Sequence, residues 1–287
     1  MIYMIINFHT LLFIQLLLSM VNMPLMKYIQ PPTITVIVHG SKMPDTIGKL
    51  LCVAYKFRYA PMGLSNAQYL DSTYSFHKLV NTLNVSDPDR FALRNTYLFG
   101  WNGKVNTVER RKAAELLYEE LVELAQRYPQ GAKLQIITHS HGGNVVLNLP
   151  VIQKDKPVKI IIDKLILLAC PVQQQTAPNL TDPMFKKIIG CISKADVIQL
   201  LDLQGLHKEN HAQRRCGSLF SKRRFCPQDN LVQVRIQSGM RDIGHIDFVR
   251  KPFITKLPQV LCVIDERWDE FHAQHPDNNI INIKDLT

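Results

Sequence analysis

A three-layer αβα sandwich, with helices on both faces of a mostly parallel sheet, is the α/β fold that this sequence predicts, on three observations. Short aliphatic or β-branched runs recur along the chain, and helix-length segments or longer excursions separate them. Such βαβα alternation implies right-handed crossovers and ligands bound outside the carboxyl ends of the strands. Finally, 287 residues with 46% hydrophobic content suffice to bury one sizeable core, so a single domain is expected over residues 31–287.

The first strand is expected at Ile34–Val38, after Pro31-Pro32 and before the turn at His39-Gly40. Residues 41–94 form a mixed segment with a helix near Ser72–Leu83, and Asn95–Phe99 is a short second strand ending at Gly100-Trp101. From Asn106, with Glu109 three residues on as its capping partner, a helix should run to about Tyr128, with Ala113, Leu117, Leu121, Leu124 and Tyr128 on one face. Leu134–Thr138 is the third strand, followed by a helix from near Gly142. Further strand signals lie at Lys164–Ala169, Lys187–Ile192 and Leu231–Gln237, and the tail after Trp268 reads as polar and peripheral.

Residues 1–30 stand apart as a hydrophobic N-terminal segment, whose first 26 residues carry no charged side chain. An uncleaved membrane anchor, an atypical signal peptide and a start-site extension all fit it. The location of the protein follows from that choice: membrane-associated for an anchor, cytoplasmic for an extension. The net charge is +10, and the segment 208–224 carries six of the cations against one acid, Glu209. A solvated loop is the plain reading of that segment, and contact with an anionic surface is the functional one. No aromatic-interleaved basic stripe accompanies it, so nucleic acid is not an expected partner. The six cysteines form no Cys-x-x-Cys motif. Cys170, Cys191 and Cys262 read as small buried hydrophobes, and Cys216 and Cys226 flank the basic stretch and are close enough in sequence to pair in an exported protein.

Chemistry concentrates at Ile136–Asn144, where a strand runs into Thr138-His-Ser140-His-Gly142 and then a helix. A serine hydroxyl is a weak nucleophile at neutral pH and needs a tight turn that exposes it to a base and to N–H donors. This run resembles the small-x-Ser-x-small nucleophile elbow of the α/β-hydrolase superfamily, with Thr138 in the first small position. The resemblance covers about residues 33–260 and implies a minimal form of that fold lacking the usual first strands. It implies the order Ser, acid, His, and so points to Ser140 as nucleophile, Asp196 after the Ile188–Ile192 strand as acid, and His245 as base. Asp202 is the alternative acid, a helix-cap role is the plain reading of Asp196, and His207 and His211 compete with His245. The oxyanion would be bound by the N–H of His141 and that of Ser41, with Gly40 giving the turn its freedom. On that view the side chain at 41 matters little. His39, Met43, Trp101 and His139 are expected about the substrate pocket, and Pro171–Met184 is positioned as a lid.

The resemblance thus implies a serine esterase acting on a small-molecule or lipid ester or thioester, with no cofactor and no metal. A zinc site of the Thr-His-x-His type is disfavoured, because Gly143 and Asn144 stand where it needs an Asp and a further His. The alternative is a catalytically inactive binding or scaffold protein with the same fold that uses segment 208–224. Oligomeric state is not legible.

Overall fold

Strands buried on both faces organise the chain. The computed structural model describes residues 31–42, 59–200 and 224–286. The segment Thr33–Val38 (β1), rich in β-branched residues, forms a central strand, parallel to Thr96–Gly100 (β3) on one side and to Lys133–His139 (β4) on the other. Then follow Lys164–Leu168 (β5), Ile188–Ile192 (β6) and Leu231–Ser238 (β7), each parallel to its neighbour. The sheet order is β2-β3-β1-β4-β5-β6-β7-β8. Gly63–Asn66 (β2) runs antiparallel along the β3 edge, Arg241–Asp242 (β8) turns back on β7, and Ile280–Asn282 (β9) also pairs with β7, in parallel.

Alternate residues of each strand face opposite cores. Val36, Val38, Ile136, Leu165 and Leu167 meet Thr107–Gln126 (α2), Gly142–Val146 (α3) and Leu149–Gln153 (α4). Ile37, Ile137, Ile166, Ile189, Val232 and Val234 meet Ser75–Ser86 (α1) and the C-terminal helices Lys251–Ile254 (α6) and Leu257–Glu266 (α7). Near-continuous apolar strands are what a parallel sheet covered on both faces requires. Asn106 caps α2 by accepting the Glu109 N–H at 2.8 Å. The reciprocal half of the expected capping pair is absent, because the Glu109 carboxylate accepts from Asn102 and Lys112 instead.

Two expectations need correction. The tail after Trp268 is not peripheral: it forms the helix Trp268–Ala273 (α8) and then β9, and Phe271, Asn279, Ile281 and Ile283 are buried. Cys262 is exposed and donates to Glu266, since Leu257, Val260, Leu261 and Ile264 hold the inner face of α7. The hydrophobic segment 1–30, Cys216 and nearly all of the basic segment 208–224 lie outside the described residues. Among the described residues no helix is long and apolar enough to cross a membrane.

Register places the site. Val38 pairs with both Phe99 and Thr138, and His139 with Leu168. The segments after β1, β3, β4 and β5 therefore emerge side by side at one edge of the sheet.

Candidate active site

Ser140 sits where β4 stops and α3 has not begun, with φ at 52°. A left-handed backbone costs a non-glycine residue on the order of 1 kcal/mol and persists only where neighbours fix it. Here the Ser140 N–H donates to Leu168 O at 2.9 Å, and the Gly143 N–H donates to Ser140 O at 3.0 Å. The turn also packs hard against the loop after β1. A β-carbon on Gly142 would lie 2.6 Å from the carbonyl oxygens of Val38 and His39, and one on Gly40 would lie 2.8 Å from Ser140 Cβ. Thr138 fits because its buried hydroxyl donates sideways to Ile166 O at 3.2 Å, on the β5 side of the strand.

Asp196 and His245 meet beside this turn. The fully buried Asp196 accepts from His245 Nδ1 at 2.7 Å through Oδ2, and from the Gln199 N–H at 3.0 Å through Oδ1. The cap of the short helix Val197–Leu200 (α5) and the orientation of an imidazole are thus served by the two oxygens of one carboxylate. Since a carboxylate only accepts, Nδ1 carries the proton and Nε2 is left as the basic nitrogen. Ser193, at the end of β6, ties the two loops together by donating its hydroxyl to Ile243 O. Arg235 grips Asp242 through two bonds of 2.6 and 2.7 Å, fixing the β7–β8 hairpin that leads to His245. That pairing holds the Asp242 carboxyl below the usual carboxylate range.

The residue next to the serine secures the histidine. His139 Nε2 donates to the backbone carbonyl of His245 at 3.0 Å, and the two rings lie 4.8 Å apart. Burial, followed by the neighbouring His245, lowers the His139 pKa to about 3, so the ring is neutral with its proton on Nε2.

The loop His39-Gly40-Ser41 is held as firmly. His39 Nε2 accepts the Trp101 backbone N–H at 3.1 Å, and His39 O accepts the indole N–H at 2.8 Å. Its Nδ1 therefore holds the proton and donates to Gly40 O at 2.6 Å. The ring stacks between Tyr59 and Trp101, at 5.0 and 5.8 Å. Burial lowers its pKa to about 4. Because a trans peptide sets C=O and N–H in opposite directions, fixing Gly40 O also fixes the direction of the Ser41 N–H.

Ser140, His141, Asp196, His245, Gly40 and Ser41 are thus gathered at one sheet edge, each at a strand end. His39 and Trp101 correct the sequence expectation. Both are almost wholly buried and brace the loop rather than line a pocket, because an indole N–H taken from water needs an acceptor and His39 O supplies it. Met43, Asp202, His207 and His211 lie outside the described residues. The segment after β5 is no loose lid. Asn144 donates to Pro171 O at 2.9 Å, the Thr176 hydroxyl donates to Asn144 Oδ1, Asn179 donates to Leu147 O at 2.7 Å, and Leu180 and Met184 are buried. It forms a fixed wall against α3. Sequence reasoning missed the bracing roles of Trp101, Ser193 and Arg235, which are made by contacts across strands. Among the described residues no cluster of His, Cys, Asp or Glu has the arrangement of a metal site.

No family model matches the chain, and neither does any curated protein. Solved structures do resemble it. An esterase/lipase from an uncultured bacterium is 12% identical, with a TM-score of 0.42, over 85% of this chain and 78% of that one. Acyl-protein thioesterase 2 of Zea mays is 11% identical, with a TM-score of 0.36, over 85% of this chain and 94% of that one. Phospholipase PlaB of Legionella pneumophila is 16% identical, with a TM-score of 0.29, over 48% of this chain, which spans only 25% of that protein's length. Likeness at these scores carries no weight beside the sheet itself. On its own strand order, the chain has a three-layer α/β fold, with a mostly parallel sheet between two helical layers.

Proposed function

We propose that this protein is a serine hydrolase that cleaves a carboxylic ester through an acyl-Ser140 intermediate. One observation carries the reading: a serine in a left-handed strand-to-helix turn beside a histidine whose Nδ1 proton is held by a buried aspartate, freeing Nε2 to act as base. Ser140 Oγ adds to the carbonyl carbon while His245 Nε2 takes its proton, and Asp196 stabilises the imidazolium that forms. The oxygen, now negatively charged, is bound by the N–H groups of His141 and Ser41. Collapse expels the alcohol, which takes its proton from His245, and water then releases the acid by the same route. The ester class is supported by the fold and by this arrangement, and the acyl group is left open. The scaffold alternative loses ground because it gives no reason for a buried Asp–His pair beside a strained serine.

The test is hydrolysis of p-nitrophenyl esters of acetyl to palmitoyl chain length. Ser140→Ala and His245→Ala are expected to lower kcat by several orders of magnitude, and Asp196→Asn by about 10⁴-fold through loss of the correct tautomer. Wild-type rates in all three variants would refute the reading.

A further inference from the structure

Exposed apolar side chains gather at one edge of the sheet. Among the described residues 13 large hydrophobic side chains are exposed, and seven of them lie on segments that meet the carboxyl ends of the parallel strands, where Ser140 emerges. On one flank Val105 and Val108 lie just beyond β3, and Met62 is brought there because Gly63 pairs antiparallel with Gly100. On the other flank Val197 and Ile198 follow Asp196, Ile246 follows His245, and Met240 tips the turn between β7 and β8. The 2.7 Å bond between Asp196 and His245 and the bond from the Ser193 hydroxyl to Ile243 O hold these last loops side by side. Met240 is held out in water by a fixed turn. Gly239 has φ at 66° and donates its N–H to Asn282 Oδ1 at 2.7 Å, and Ser238 pairs with Arg241, which leaves Met240 99% exposed. A single exposed apolar residue needs no explanation, but several around one site mark an interaction face.

The charges on these segments favour an anionic partner. Lys42, Lys104 and Arg241 are exposed, and no salt bridge ties any of the three to another described residue. The acids after β3 and β7 are already bonded: Glu109 to Asn102 and Lys112, Asp242 to Arg235, and Asp247 to Arg250 and the Gly244 N–H. Apolar side chains interspersed with cations complement a bilayer, which is apolar beneath a layer of acidic headgroups. In sheet order Ser140, after β4, lies between the two flanks. A protein seated on both flanks would cover the serine, whereas a bilayer would present substrate to it. We propose that this edge docks on an anionic bilayer surface and that the ester cleaved at Ser140 is a membrane-resident lipid; the substrate half of the proposal rests on the acyl-serine reading above. Met240, Ile246, Val197 and Val108 enter the headgroup layer, and Lys104 and Arg241 meet its anionic groups.

The experiment is co-sedimentation of the full chain with vesicles of phosphatidylcholine alone and of equal parts phosphatidylcholine and phosphatidylserine. Wild type is expected to bind the mixed vesicles more tightly, by about fivefold for each cation engaged. Met240→Glu combined with Val108→Glu should weaken that binding by about 10-fold or more, through lost apolar insertion and added repulsion. Lys104→Ala combined with Arg241→Ala should remove most of the preference for phosphatidylserine. Val158→Glu combined with Ile161→Glu, at two exposed positions before the amino end of β5 and so at the opposite edge, should bind as wild type. All are surface changes, so rates on the soluble ester p-nitrophenyl butyrate should stay at the wild-type level, while hydrolysis of an umbelliferyl oleate dissolved in the mixed vesicles falls with binding. A wild type that binds neither vesicle, an unchanged affinity in the variant at Met240 and Val108, or an equal loss in the opposite-edge control would overturn the proposal. A wild-type dimer that the Met240 and Val108 substitutions split, without vesicle binding, would overturn it in favour of a second copy on this face. Vesicle binding that those substitutions abolish, in a protein whose wild type hydrolyses neither ester, would keep the docking face and remove the acyl-serine reading.

Discussion

Mild acid should destabilise this protein well above the pH at which its carboxylates titrate. His39 and His139 are buried and neutral, with pKa values lowered from 6.5 to about 4 and about 3. Between roughly pH 6.5 and 4 the unfolded chain binds protons on these two residues that the folded chain refuses, so stability rises with pH across that window and is lost as pH falls through it. Taking 1.36 kcal/mol for each pKa unit, each histidine removes about 2 kcal/mol between pH 7 and 5, or about 4 kcal/mol for the pair. Domains are commonly stable by about 5–15 kcal/mol, so this is a large fraction. The Asp242 carboxyl, held low by Arg235, acts in the same direction, but its contribution is lost only as pH falls from the usual carboxylate range toward its depressed folded value, below the window. The assay is urea unfolding at pH 7, 6 and 5, followed by fluorescence, to which the buried Trp101 contributes. His139→Asn should be less stable at pH 7 and should lose about half of the pH dependence. A free energy of unfolding that stays flat from pH 7 to 5, or a slope unaffected by His139→Asn, would refute the argument that these rings are buried and neutral.

Two further substitutions test the backbone of the site. Gly142→Ala forces a β-carbon to within 2.6 Å of two main-chain oxygens. It should cost about 1–3 kcal/mol in urea unfolding and reduce ester turnover, because relief has to move the His39-Gly40 loop; a variant with wild-type stability and rate would show that the contact relaxes freely. Ala169, the residue after β5, has φ at 50° in a fully buried position. Ala169→Gly should therefore be neutral or stabilising by up to about 1 kcal/mol, against the loss expected for glycine at an ordinary position, with calorimetry as the check.

What was legible in the sequence follows the range of each signal. β1, β4, β5, β6 and β7 declared themselves because strands buried on both faces are rich in aliphatic and β-branched residues. β2 did not: Gly-Leu-Ser-Asn is a polar edge strand, and only its pairing with β3 makes it one. β9 was hidden for a similar reason, being three residues within a polar tail that gains its partner from β7. Ser140, Asp196 and His245 were readable because each follows a local pattern at a strand end. The dual use of Asp196 was not, since a helix cap and an imidazole partner look alike in sequence until both oxygens are placed. Nor was the bracing of His39 by Trp101, a contact across 62 positions that only the β1–β3 register brings about.

The account turns on whether Ser140 is an activated nucleophile. Labelling of the purified chain with a fluorophosphonate probe, for wild type, Ser140→Ala and His245→Ala, tests that most directly. The account predicts stoichiometric labelling of wild type at Ser140 by peptide mass, none of Ser140→Ala, and labelling slowed by orders of magnitude in His245→Ala. A folded wild type that takes no label, or label that persists in Ser140→Ala, would contradict it.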